Sequence, residues 1–206
     1  MPATVRFALL ATAASFALAA CKKDADLAPP EQVVPLRVGH TWEYTRYQYN
    51  ADGRITDSTT VVRSVRRDTA LAGSTWYILS DGSIVQNGPQ GYLRYNPGSL
   101  GHVIVYPNAT YGGSPGYNYV YPTHTLWVLT SRAAAPAPVP ASRQRHTATR
   151  YHIELQYLYP AQSTPLIQLA DDYISPTHGL VRADLYSRST GLLQQRLELQ
   201  RFTPQP

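Results

Sequence analysis

The chain has 206 residues, is 43% hydrophobic and 15% charged, and carries a formal net charge of +5 from 18 Lys and Arg against 13 Asp and Glu. That length fits one domain with a core of its own and leaves little room for two. The cations are mostly arginines spread along the chain, which argues against nucleic-acid binding, and a single cysteine excludes an internal disulfide.

Residues 1–20 are built like a secretory signal: one cation at Arg6, an apolar run from Phe7 to Leu18, then small residues. The run is much shorter than the roughly 20 residues of a membrane-spanning helix. Its ending, Leu18-Ala19-Ala20-Cys21, resembles the lipobox of bacterial lipoproteins. That resemblance implies cleavage before Cys21 and a diacylglycerol on its thiol. The membrane is then a partner through the lipid, and the location is that of an outer membrane lipoprotein, periplasmic or surface-exposed. Residues 21–35 are charged and Pro-containing without apolar periodicity, which predicts a lipidated tether. Lys22-Lys23 followed by acidic residues resembles the start of many Bacteroidota lipoproteins, some of which reach the cell surface.

Residues 36–206 are predicted to form a single all-β domain, with no helix longer than two turns. Trp42 and Tyr44 lie two apart and share a strand face. Asn50-Ala51-Asp52-Gly53 is a hairpin turn leading to a β-branched strand at Thr59–Val65. Turns at Ala72-Gly73-Ser74 and Asp81-Gly82-Ser83 bound Thr75–Leu79 and Ile84–Gln86. Tyr92–Tyr95, His102–Tyr106, Tyr117–Tyr121 and Leu126–Leu129 continue the pattern, with a Gly- and Pro-rich loop from Pro107 to Gly116. Ala133–Ala141 alternates Ala and Pro and is expected to be an exposed connection. The longest strand candidate, Arg143–Tyr159, sets Tyr151, Ile153, Leu155, Tyr157 and Tyr159 on one face and His152, Glu154 and Gln156 on the other. Leu180–Tyr186 and Leu192–Phe202 close the chain as a hairpin across Ser189-Thr190-Gly191, with Leu193, Leu197 and Leu199 expected inside. Strands spaced by turns every 8 to 12 residues predict an antiparallel meander, either an open half-barrel or a sandwich.

Pro35-Leu36-Arg37-Val38-Gly39-His40-Thr41-Trp42-Glu43-Tyr44 resembles the opening of a group of Bacteroidota lipoproteins that share Pro-Leu-x-x-Gly-x-x-Trp-x-Tyr. The tail, from Asp171-Asp172-Tyr173 through Gly179-Leu180-Val181 to Leu197-Glu198-Leu199, resembles the closing strands of the same group. That group is similar in architecture to the open β-barrels of the lipoprotein carrier and receptor LolA and LolB. The resemblance implies an open barrel and contains no catalytic motif.

Catalytic patterns fail on physical grounds. Gly112-Gly113-Ser114-Pro115-Gly116 matches a nucleophile elbow in letters, but Pro115 lacks the N–H that the oxyanion hole requires. His152 and Glu154 share a strand face, and His146 shares its parity. A polar outer face accounts for them, and no metal or other cofactor is expected. His40, His102, His124 and His178 are scattered and define no site. Asp171 and Asp172 point to opposite faces and are expected to cap or to pair with arginines. The chain is accordingly expected not to be an enzyme. A hydrolase with carboxylates assembled by the fold is the alternative, and a structural or protein-contact role is a further one. The remaining signal is tyrosine, 16 residues against 3 Phe. Tyr117, Tyr119, Tyr121, Tyr157 and Tyr159 are the candidate ligand-binding residues, for an apolar, lipid-like molecule or a glycan. A cavity lined by Leu and Val would select lipid, and an exposed coplanar set of rings would select glycan.

Overall fold

A computed structural model describes residues 31–97 and 101–205. Cys21, the signal and most of the tether lie outside the described residues. About 65% of the described chain is strand, and it contains no α-helix.

The first half is a meander of six strands: β1 (Thr41–Tyr49), β2 (Ile55–Leu71), β3 (Ser74–Leu79), β4 (Ile84–Gly88), β5 (Gly91–Asn96) and β6 (Gly101–Pro107). The second runs through β7 (Gly116–Val120), β8 (Thr125–Arg132), β9 (Ala137–Ala141), β10 (Gln144–Leu158), β11 (Leu166–Ser175), β12 (Gly179–Tyr186) and β13 (Leu193–Thr203). The halves are joined where β1 pairs antiparallel with β13, Trp42 opposite Phe202 and Tyr44 opposite Leu199. The resulting path, β6-β5-β4-β3-β2-β1-β13-β12-β11-β10-β8-β7, leaves two free edges, β6 and β7. Curling of this one antiparallel sheet brings those edges together. The molecule is thus a β-barrel with one unsealed seam, and of the two predicted shapes the open barrel is the observed one.

Local chemistry explains the meander. The β1–β2 turn places Gly53 at φ +74°, with the Asn50 side chain accepting from the Asp52 and Arg54 N–H groups at 3.1 and 2.9 Å. At the β2–β3 turn both Ala72 and Gly73 have positive φ, 50° and 78°. Two consecutive left-handed residues match the twist of a tight hairpin. β2 is much longer than its predicted core: it pairs with β1 up to Ser64, then bends at an irregularity between Val65 and Arg67 and pairs with β3. β10 turns the other corner, pairing first with β9 and then with β8 and β11.

The core follows the predicted parity. Trp42 and Tyr44 are both buried, together with Val65, Leu79, Val85, Tyr92, Tyr106, Tyr151, Ile174, Val181 and Leu199. Of the last-strand leucines only Leu199 is fully buried, while Leu193 and Leu197 are half-buried. The packed chain also begins before Leu36. Val33 and Val34 are buried, their N–H groups donate to Asn87 Oδ1, and Asn87 Nδ2 donates to the Val34 carbonyl at 2.7 Å. Two apolar residues fastened by one distant amide carry no periodicity, so the strap reads as tether in sequence.

The Ala/Pro stretch is the clearest correction. Ala137–Ala141 is a strand, paired with Gln144–Ala148 across a turn at Ser142 with φ 55°. Pro138 and Pro140 lie two apart, so both missing N–H groups fall on one side of β9, while its only ladder, to β10, is on the other. An edge strand tolerates proline in that arrangement. Val139 and Ala141 point inward and are buried.

Candidate functional site

The barrel holds a cavity of about 390 Å³ that is open to solvent on one side. One wall is aliphatic, with Leu126 and Val128 of β8, Ile153 and Leu155 of β10 and Ala170 of β11, faced by Leu79, Val85 and Val105. The polar lining is Arg63, Asp81, Ser83, Arg94, Tyr92, Tyr106, Tyr117, Tyr119 and Asp172. Side chains reach it from nine different strands, mostly at alternate positions, because strand parity sends every second residue inward.

Two polar clusters form there. In the first, Arg63 pairs with Asp81 at 3.2 Å, and the Tyr106 hydroxyl donates to Asp172 Oδ2 at 2.7 Å. Asp172 keeps some surface toward the cavity but lies deep among protein atoms. Burial raises its carboxyl to about 6, with Asp171 and Asp184 adding to the rise and the Tyr106 hydroxyl and Arg63 opposing it. Asp81 behaves oppositely. Burial alone would raise it, but the Ser83 N–H at 2.9 Å and the Arg63 guanidinium outweigh that and hold it below the usual range. Tyr106 itself stacks on Tyr92 at 5.5 Å and meets Tyr151 at 5.0 Å.

The second cluster spans the seam. Arg94 of β5 donates to the Tyr119 hydroxyl of β7 and lies 5.9 and 5.6 Å from the ring centres of Tyr117 and Tyr119. Burial pushes the Tyr117 hydroxyl up to about 12, against the pull of Arg94. Tyr117 and Tyr119 meet edge to face, at 84°.

The five tyrosines singled out in the sequence therefore divide. Tyr117 and Tyr119 line the cavity. Tyr121, Tyr157 and Tyr159 gather instead around His124, which stacks on Tyr121 at 4.7 Å and Tyr159 at 5.3 Å and lies 5.7 Å from Tyr157. Contact between Tyr119 and Tyr121, at 6.5 Å, links the groups. Arg188 covers the Tyr157 ring at 4.7 Å. Arg63, Asp81, Arg94 and Asp172, the charged part of the lining, belong to no catalytic or ligand-binding motif. For Arg63, Arg94 and Asp172 strand parity alone hints at an inward position, and that hint becomes useful only once the barrel closure is known.

Two solved structures share this fold. One, from Bacteroides fragilis, is described as an exported protein with a YmcC-like fold. It superposes with a TM-score of 0.55 at 13% identity over 84% of this chain and 100% of that one. The other, from Parabacteroides distasonis, is described as a lipoprotein and gives a TM-score of 0.53 at 14% identity over 85% and 100%. No known family profile matches the sequence, and no curated protein does.

The outer face of the sheet carries different chemistry. Asp171, directed away from the lumen, accepts from Tyr186 at 3.2 Å and lies 2.9 Å from His152 Nδ1. Beside it Asp184 is almost fully buried and receives Arg196 Nε at 2.7 Å and Arg182 Nε at 3.0 and 3.1 Å. The expectation that Asp171 and Asp172 pair with arginines is thus corrected: the direct arginine partners belong to Asp184 and Asp81. His146 is remote from His152 in register, since it pairs with β9. It meets His178 at 4.9 Å, and His178 and His40 both contact Phe202. The histidines that look scattered in sequence are in part a ring cluster at the strap end. No helix follows Ser114, and Gly116 opens β7.

Proposed function

We propose that this chain is a membrane-anchored envelope lipoprotein that holds a lipid-like ligand in the lumen of its barrel without transforming it. The observation that carries the reading is the 390 Å³ cavity, walled by Leu, Val and Ile and bordered by an unsealed seam. Its size lies within the roughly 300–1,000 Å³ of ligand sites. Leu18-Ala19-Ala20-Cys21 supports the anchor, and so do the descriptions of the two fold neighbours as exported and as a lipoprotein. The aliphatic wall of the lumen favours an acyl ligand. A glycan fits less well, because the lumen tyrosines meet edge to face and the stacked set around His124 occupies its own ring faces.

The test uses the full chain carrying Cys21→Ala. Loss of the lipidated thiol moves the protein from the membrane to the soluble fraction, and retention in the membrane would refute the anchor. Native mass spectrometry of that soluble protein shows an acyl-bearing adduct, or uptake of one on addition. Absence of both would remove the lumen reading.

A second reading rests on Asp81 and Asp172 lining one cavity with proton affinities displaced in opposite directions, the arrangement by which paired carboxylates divide acid and base roles. Hydrolysis of aryl glycosides that disappears in Asp172→Asn would establish it in place of passive binding.

A further inference from the structure

We infer that the lumen ligand is a single-chain amphiphile with an oxyanion head, seated on Arg94 at the seam with its tail along the β8–β10 wall. This rests on the lumen reading given above and adds the ligand's charge and chain number.

The charge follows from the pairing of the lumen cations. Arg63 has Asp81 at 3.2 Å. Arg94 has no carboxylate within ion-pair distance among the described residues; what meets it is the Tyr119 hydroxyl and two tyrosine rings. A guanidinium offers five N–H donors in a planar fork suited to carboxylate or phosphate oxygens. The Tyr119 hydroxyl is a neutral partner and cannot balance the charge. An anionic head would do so, and it would enter between the free edges β6 and β7, where no ladder has to be broken.

The chain number follows from volume. A cavity of about 150 Å³ holds one benzene, six carbons, so the same density gives roughly fifteen carbons for this one. One acyl chain of common length fills it. The two or three chains of a phospholipid or of a lipoprotein anchor exceed that volume. Val128 and Ile153 then line the path of the tail, and Asp172, already satisfied by Tyr106, lies along the same lumen.

The experiment titrates the delipidated full chain carrying Cys21→Ala with four probes: palmitate, a single-chain lysophosphatidate, the neutral hexadecanol and a two-chain phosphatidate. Palmitate and lysophosphatidate bind at least tenfold more tightly than hexadecanol, and the phosphatidate binds no better than the alcohol. A tighter palmitate or a tighter lysophosphatidate identifies which oxyanion is preferred. Arg94→Gln removes the preference for the charged head and leaves alcohol binding in place, while Arg94→Lys keeps most of it. Equal affinity for palmitate and hexadecanol overturns the anion site and leaves the lipid reading intact. Tight binding of phosphatidate overturns the single chain. Binding of none of the four overturns the lumen reading itself. The wild-type comparison of acid with alcohol needs no variant, so a folding defect in Arg94→Gln cannot decide the outcome.

Discussion

Asp184→Ala lowers the stability of the domain by about 3 to 5 kcal/mol, the range for removing one member of a buried, hydrogen-bonded ion cluster. The carboxylate is 1% exposed, and the two arginines that hold it are only 17% and 23% exposed. Both guanidiniums would be left with little water, Arg182 without its paired carboxylate and Arg196 with only the longer contact to Glu198 at 3.8 Å. The cluster lies in register across the sheet, Asp184 opposite Asp171 on β11 and opposite Arg196 on β13, so the loss falls on two ladders at once. Arg201 and Glu43 provide the contrast. They also pair across β1 and β13, but the arginine is 71% exposed, and such a surface bridge is worth about 0 to 1 kcal/mol. Urea midpoints of Asp184→Ala and Glu43→Ala, taken with the slope of each transition, check both values. Equal small losses would show that the outer-face cluster is solvated and adds nothing.

That cluster also marks the boundary of what could be read from sequence. Strands and hairpins are nearest-neighbour matters: the alternation of Trp42 and Tyr44, the Asp52-Gly53 turn and the Ser189–Gly191 hairpin each depend on a few adjacent side chains, and each stands where it was expected. The joining of β1 to β13 brings together residues such as Gln48 and Gln195, 147 positions apart, and no local pattern encodes it. Once that pairing is made, the free edges β6 and β7 must meet, and Arg94 finds Tyr119 across the seam. Tyr117 and Tyr119 were therefore legible as one face of one strand, while their cationic partner was not. β9 was hidden for another reason, since proline is ordinarily a sign against a ladder, and only its position at an edge makes it compatible with one. Asp171 and Asp172 show how far parity goes. It sends them to opposite faces, as read, but cannot tell that one meets His152 and the other Tyr106.

Asp172 yields the pH dependence of the molecule. Its folded carboxyl titrates at about 6, above the 3.8 of an ordinary aspartate, so the folded protein binds this proton more tightly than the unfolded chain. The stabilisation from that proton is complete below about pH 4 and is lost as the pH rises through 6. At 1.36 kcal/mol per unit the loss is about 3 kcal/mol at most. Asp172→Asn replaces the carboxyl by a neutral group that still accepts from Tyr106. The variant and the wild type are thus expected to be nearly equal in stability at pH 4, with the variant the more stable at pH 7 by an amount approaching that ceiling. Comparing the two proteins at each pH cancels the opposite contribution of Asp81, whose lowered carboxyl favours folding at higher pH. A difference that stays constant between pH 4 and 7, or that falls, would mean that Asp172 is not desolvated. If it grows as expected, the barrel keeps an ionisable group in its lumen at a cost to its own stability. Strongly perturbed carboxyls of that kind concentrate where a protein meets a ligand, and this one shares its cavity with Arg94.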